Sequence, residues 1–138
     1  MHFQTTVNAT DTALEFVRRI NDHSPDLLAD LMTEGHTFID STGKRFEGRD
    51  LMRQGWKSYF SMIPDYKITV ESGMENGDVA ALFGTAQGTC AVNGVILGEN
   101  RWEIPFAVRA VIASGKVQEW RVYADNHPVY EILGRHGR

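Results

Sequence analysis

Two aspartates, Asp40 and Asp125, stand at the ends of strand-like segments, where a carboxylate could act as an acid or a base. A carboxylate that loses hydration among apolar side chains has a raised pKa, and it can then accept a proton from a carbon next to a carbonyl. Asp40 ends the segment HTFIDS, and its side chain could also close the STGK turn that follows. Both interpretations of Asp40 stay open.

The second aspartate lies in EWRVYADNHPVY, where alternating residues predict a strand. On a regular strand Asp125 shares a face with Arg121 and Tyr123. With Pro128 close behind it, Asp125 is well placed to cap a terminal helix, PVYEILG. A cap is therefore the preferred interpretation of Asp125, and catalysis is the alternative.

Chemistry on a carbonyl also needs hydrogen-bond donors where negative charge develops on the oxygen. The candidate donors are Tyr59, Arg109, Trp102 and His36. Tyr59 shares a helical stripe with Trp56, so core packing is an equally good interpretation of it. Arg109 interrupts the apolar run IPFAVRAVIA, and a charge there must be paired, solvated at an interface or directed into a polar site. A paired structural or dimer-interface arginine is the preferred interpretation.

Three helices are predicted before the main sheet. The first has apolar residues at i, i+3, i+4 and i+7 behind a cap at Thr10 or Asp11. Ser24 and Pro25 open a short second helix, DLLADLM. The third lies in GRDLMRQGWKSYFSMIP, carries one apolar stripe and ends at Pro64. These helices can cover one face of a sheet.

From Asp65 onward the hydrophobic period is two, which predicts strands. The dry face of the first of these strands consists of Tyr66, Ile68, Val70 and Met74. The next two strands, VAALFGTAQGTC and RWEIPFAVRAVIA, are mostly apolar on both faces, which is unusual for an antiparallel sheet with one solvated face. Helices can cover one face and a second copy of the chain can cover the other, so a homodimer is expected.

The composition fits one ordinary domain, expected over residues 1–138. The chain is 42% hydrophobic, and its net charge of −4 is spread along the sequence without a basic run. Neither a nucleic-acid partner nor a membrane is therefore expected. The single cysteine excludes an intramolecular disulfide, and without a signal peptide the expected location is the cytoplasm. The histidines lack metal-ligand spacing, so neither a metal nor another cofactor is expected.

Three segments, FEGRDLMRQGW, IPDYKITVESGMENGDVAALFGTAQGT and ASGKVQEWRVYADNHPVYEILG, together with the order of elements, resemble the nuclear transport factor 2-like superfamily. The resemblance covers about the whole chain, and within the superfamily it points to the SnoaL-like branch of polyketide cyclases and ketosteroid isomerases. It implies an α+β cone, in which N-terminal helices pack on a strongly curved, mostly antiparallel sheet. It places Asp40 at the position of the isomerases' general base. Their donor tyrosine is matched by about Phe16, and their donor acid falls near Val108.

The resemblance also implies a largely apolar pocket. Its expected ligand-binding residues are Phe16, His36, Phe38, Trp56, Tyr59, Phe83, Trp102, Arg109 and Trp120. The leading hypothesis is acid/base isomerisation, cyclisation or dehydration of a small hydrophobic carbonyl compound, with Asp40 as base and no cofactor. The alternative is a non-catalytic module that binds a small hydrophobic ligand or dimerises, because most of the family's oxyanion donors are missing.

Overall fold

The computed structural model describes residues 8–136, and these residues form helices and one six-stranded sheet. The helices are α1 (Ala9–Asn21), α2 (Pro25–Asp30), α3 (Arg49–Met62) and α4 (His127–His136). The strands are β1 (Met32–Ile39), β2 (Arg45–Glu47), β3 (Lys67–Asn76), β4 (Val79–Val92), β5 (Val95–Ala113) and β6 (Lys116–Tyr123). The predicted α+β fold, with helices on a mostly antiparallel sheet, is confirmed.

The strand order is β2-β1-β6-β5-β4-β3, and only the contact between β1 and β6 is parallel. Parallel strands end at the same edge of a sheet. The residues that follow β1 therefore lie beside those that follow β6. This pairing brings the turn after β1 close to the start of α4, although the two are far apart in the sequence.

Capping residues fix where the first two helices begin. The Oδ1 of Asn8 accepts a hydrogen bond from the backbone N–H of Asp11 at 2.8 Å, so Asn8 is the N-cap of α1. The cap predicted at Thr10 or Asp11 was wrong, because the helix already begins at Ala9. Ser24 caps α2, as predicted. No helix in the described part of the chain is both long and apolar enough to cross a membrane.

A bulge in β3 changes which side chains face the core. The register of β3 against β4 shifts between Val70 and Ser72, and an extra residue in one strand moves the following side chains to the opposite face. Met74 is consequently 65% exposed, so its predicted place on the dry face was wrong. Gly84 allows the close approach of the two strands here, since a Cβ on it would lie 1.8 Å from the carbonyl oxygen of Thr69.

The core lies between the helices and one face of the sheet, called here the inner face. On β5 the inner face carries Trp102, Ile104 and Phe106, all at most 6% exposed. Helix α1 packs on β3 to β6, and α3 packs on β1, β2 and β4. The opposite, outer face carries no helix among the described residues, and on β5 it presents Arg101 and Glu103 to solvent.

Candidate functional site

A cavity of about 520 Å³ lies between α3, α4 and the inner face of the sheet. The aromatic residues of its wall are Phe38, Phe46, Trp56, Tyr59, Tyr66, Trp102, Phe106, Trp120 and Tyr130. The polar residues are Asp40, Ser41, Gln54, Ser58 and Asn126. No lysine, arginine or histidine of residues 8–136 lines the cavity. Its size and wall suit a small, largely apolar molecule.

Two tyrosines form a pair in this wall. Tyr59 comes from α3 and Tyr66 from the segment before β3, and their rings meet edge to face with centroids 4.9 Å apart. Burial raises the pKa of both hydroxyls, so both are protonated at neutral pH. Neither hydroxyl has a hydrogen-bond partner within residues 8–136. Each phenol is therefore a free hydrogen-bond donor in the wall of the cavity.

Sequence reasoning named Tyr59 and missed Tyr66. Tyr66 starts an alternating strand pattern, which predicts only that its side chain faces the core. The pattern is the same whether or not the hydroxyl has a hydrogen-bond partner, so it does not mark Tyr66 as a functional residue. Tyr66 is indeed only 7% exposed. What makes it a candidate functional residue is its contact with Tyr59, which depends on how α3 turns into β3 at Pro64.

Asp40 closes the turn after β1. Its Oδ1 accepts hydrogen bonds from the backbone N–H and the hydroxyl of Thr42, at 2.9 and 2.7 Å, and from the backbone N–H of Lys44 at 3.0 Å. Burial raises the pKa of Asp40, but these hydrogen bonds and the charge of Lys44 together hold it below its ordinary value. The expectation from the sequence that the pKa of Asp40 is raised is therefore wrong. Asp40 is an ionised carboxylate that lines the cavity.

Asp125 lies outside the cavity wall, one residue before the N-cap position of α4, which Asn126 occupies. Its Oδ1 accepts a hydrogen bond from the backbone N–H of His127, the first residue of α4, at 3.0 Å, so it holds the start of the helix without being its cap. The next residue, Asn126, lines the cavity, and its Nδ2 donates to the Oγ of Ser41 at 2.8 Å. Sequence reasoning missed both Asn126 and Ser41. The two residues meet because β1 and β6 pair in parallel, and a pairing between distant strands leaves no local pattern in the sequence.

Two other predicted site residues lie on the outer face. Phe83 is 40% exposed, and it follows Leu82, which occupies the inner face of β4. Arg109 is also exposed, and its Nη1 lies 2.7 Å from the Oε2 of Glu119. Neither residue lines the cavity, so the structure does not bring them to the expected pocket. Arg109 is the paired surface arginine that was the preferred interpretation.

Phe16 and His36 lie in the core, behind the cavity wall. The Phe16 ring contacts Trp120 at 4.5 Å and His36 at 5.9 Å between centroids. Neither Phe16 nor His36 lines the cavity, in contrast to the prediction. The Nδ1 of His36 lies 2.8 Å from the carbonyl oxygen of Val117, which can only accept, so Nδ1 carries the proton. Burial lowers the pKa of His36 more than this hydrogen bond raises it, which keeps the ring neutral.

The remaining predicted residues, Phe38, Trp56, Trp102 and Trp120, all line the cavity. The indole N–H groups of Trp56 and Trp120 are buried and have no hydrogen-bond partner in residues 8–136. A buried donor without a partner costs roughly 1–3 kcal/mol. Within the same range, no group of three or more potential metal ligands occurs.

These observations define the class of the protein: an α+β cone that encloses an apolar cavity. The family model described as SnoaL-like domain matches residues 13–120, and the chain belongs to this family. A search of curated proteins found no match.

Solved structures show the same fold. A protein from Jannaschia sp. CCS1 that is named for the SnoaL-like polyketide cyclases has a TM-score of 0.79 at 18% identity, over 96% of this chain and 97% of that one. A hypothetical protein with a ketosteroid isomerase-like fold from Catenulispora acidiphila, in complex with trimethylamine, has a TM-score of 0.73 at 19% identity, over 92% of each chain. An NTF2-like protein of unknown function from Cytophaga hutchinsonii has a TM-score of 0.68 at 19% identity, over 93% of this chain and 99% of that one. At such identities the likeness concerns the fold alone.

Proposed function

We propose that the chain binds a small hydrophobic carbonyl compound in the cavity between α3, α4 and the inner face. The observation that carries this proposal is an aromatic wall that contains two protonated, unpartnered phenols, Tyr59 and Tyr66. The wall would cover the carbon skeleton of the ligand, and the phenols would donate to its carbonyl oxygen. Membership of the SnoaL-like family supports a role of this kind.

Binding can be tested by titration calorimetry with 2-acetylnaphthalene, a flat aromatic ketone. Val122 lines the cavity on β6, so Val122→Phe should fill part of it and lower the affinity about tenfold or more. Val111→Phe makes the same change on the outer face of β5 and should leave the affinity as in the wild type. Absence of binding to the wild type, or equal loss in both variants, would refute the proposal.

A second candidate function is acid/base catalysis on such a ligand. The observation that favours it is the position of Asp40, an ionised carboxylate that lines the same cavity. Its lowered pKa makes Asp40 a weak base, so proton removal would depend on donors that stabilise the enolate, such as Tyr59.

Deuterium exchange separates binding from catalysis. In D2O, a catalyst would exchange the methyl protons of 2-acetylnaphthalene, and NMR would follow the loss of their signal. Catalysis by Asp40 predicts exchange that falls by about two orders of magnitude in Asp40→Asn. Exchange at the uncatalysed rate in both proteins would leave ligand binding as the function.

We also propose that the chain forms a homodimer through the outer face. Across β3 to β6, paired positions place Ser72, Phe83, Ala107 and Tyr123 in one row. Phe83 and Tyr123 are 40% and 48% exposed, with the small Ala107 between them. Two such rows could pack against each other and remove both aromatic side chains from water.

A further inference from the structure

One end of the cavity combines three aromatic rings with a carboxylate. Phe38 on β1 is paired with Phe46 on β2, and their ring centroids lie 6.3 Å apart. Trp56 of α3 meets Phe38 edge to face at 5.9 Å. Asp40 follows two residues after Phe38, and all four side chains line the cavity. We call this group the Asp40 end, consisting of Phe38, Asp40, Phe46 and Trp56.

The charges at the Asp40 end favour a cation. The faces of aromatic rings carry negative potential, and they attract ammonium groups within about 6 Å. Asp40 adds a full negative charge, and its Oδ2 makes no hydrogen bond within residues 8–136. No positively charged side chain of the described residues lines the cavity. An anionic ligand would therefore meet repulsion here, whereas a positively charged one would meet attraction.

Lys44 already places a cation near the same carboxylate and the same ring. The Nζ of Lys44 lies 5.2 Å from the centroid of Phe46, and the charge of Lys44 lowers the pKa of Asp40. The Lys44 side chain is exposed and does not line the cavity. Its ammonium group thus competes with a cation inside the cavity for the same carboxylate and the same ring.

We infer that the ligand of this cavity carries an organic ammonium group, which Asp40, Phe38, Phe46 and Trp56 hold at one end while the rest of the wall covers its apolar part. This inference rests on the proposed function, because it assumes that the cavity binds a small hydrophobic molecule. It narrows the class of ligand to hydrophobic carbonyl compounds that also carry an amine or quaternary ammonium group.

Two probes of equal shape test the charge alone. Benzyltrimethylammonium and its neutral isostere neopentylbenzene differ in one atom, and calorimetry at low salt gives the affinity of each. The wild type should bind the cation about tenfold more tightly than the isostere. In Asp40→Asn this preference should fall severalfold, whereas the turn is kept, because the asparagine oxygen can accept the same hydrogen bonds.

Two further variants control for distant charge and for competition. Asp30→Asn removes an exposed carboxylate that does not line the cavity, so it should leave the preference unchanged. Lys44→Gln removes the competing ammonium group and should increase the affinity for the cation about two- to fivefold, with no effect on the isostere.

The outcomes separate this inference from the proposed function. Equal affinity for both probes, or a preference that persists in Asp40→Asn, would overturn the ammonium inference and leave a cavity that binds neutral molecules. Absence of binding for both probes and for 2-acetylnaphthalene would overturn the proposed function as well. A preference that is reduced in Asp40→Asn and increased in Lys44→Gln is the result that we expect.

Discussion

On β5, neighbouring residues face two different environments. Trp102 and Ile104 point to the inner face, where they are 4% exposed and line the cavity, while Arg101 and Glu103 point to solvent on the outer face. Polar groups near the inner face lose water, and the pKa shifts of Tyr59, Tyr66 and His36 follow from that loss. Charges on the outer face keep their water and form surface ion pairs. The difference between the faces supports the two proposals, that the inner face binds a small molecule and that the outer face contacts a second copy of the chain.

The largest difference between the two faces should appear in stability. Trp120 is fully buried on the inner side of β6, so Trp120→Ala should lower the free energy of unfolding by about 3–5 kcal/mol. Glu103 on the outer face of β5 is exposed and lies outside the proposed dimer row, and Glu103→Ala should cost less than about 1 kcal/mol. Urea unfolding of the two variants measures both values. Similar losses would mean that the outer face is packed as tightly as the core.

The outer face should also carry the self-association of the chain. At micromolar concentration, sedimentation should give about twice the chain mass of 15.5 kDa. Phe83→Ser should weaken self-association about tenfold or more, because it removes an aromatic side chain from the proposed interface. Leu51→Ser is the control, since Leu51 is 54% exposed but lies on α3. A monomeric wild type would remove the proposed role of the outer face.

A buried histidine makes the stability depend on pH. His36 is held neutral in the folded protein with a pKa below its ordinary value of 6.5, whereas in the unfolded chain it can take up a proton. The contribution of this group is therefore fully present above about pH 6.5 and is lost as the pH falls below that value. His36→Gln should flatten the decline in unfolding free energy between about pH 7 and pH 5. Urea unfolding at several pH values would contradict this if wild type and variant declined in parallel.

The smallest effect is expected at Asp125, beside the start of α4. Asp125→Ala should lower the free energy of unfolding by about 0.5–2 kcal/mol, because the backbone N–H of His127 loses its acceptor. Asp125→Asn keeps an acceptor and should change stability little. Neither variant should alter ligand affinity, because Asp125 lies outside the cavity wall. A large loss of affinity in Asp125→Asn would instead place this aspartate in the site.

Much of the fold could be predicted because its elements have regular periods. The apolar stripe of α3 and the alternation of β3 and β6 each depend on neighbours within one element, and the structure contains them. The turn-closing alternative for Asp40 and a structural role for Asp125 near the start of α4 were also accessible, since both depend on residues two to four positions away. Local patterns of this kind are visible in a sequence.

The remaining features depend on contacts between distant segments. Phe83 was assigned to the wrong face because β4 is apolar at both parities, so periodicity cannot choose between Leu82 and Phe83. Met74 was misplaced by a bulge that leaves no clear signature in the sequence. The contact between Tyr59 and Tyr66 arises only when α3 and β3 pack on the same cavity.

The central claim is that the inner face binds a small hydrophobic ligand, and a crystal structure of the complex with 2-acetylnaphthalene tests it most directly. We predict electron density for the ligand between α3, α4 and β6, with its carbonyl oxygen within hydrogen-bond distance of the Tyr59 or Tyr66 hydroxyl. Density on the outer face beside Phe83, or an empty cavity at a ligand concentration that saturates binding in solution, would contradict the claim.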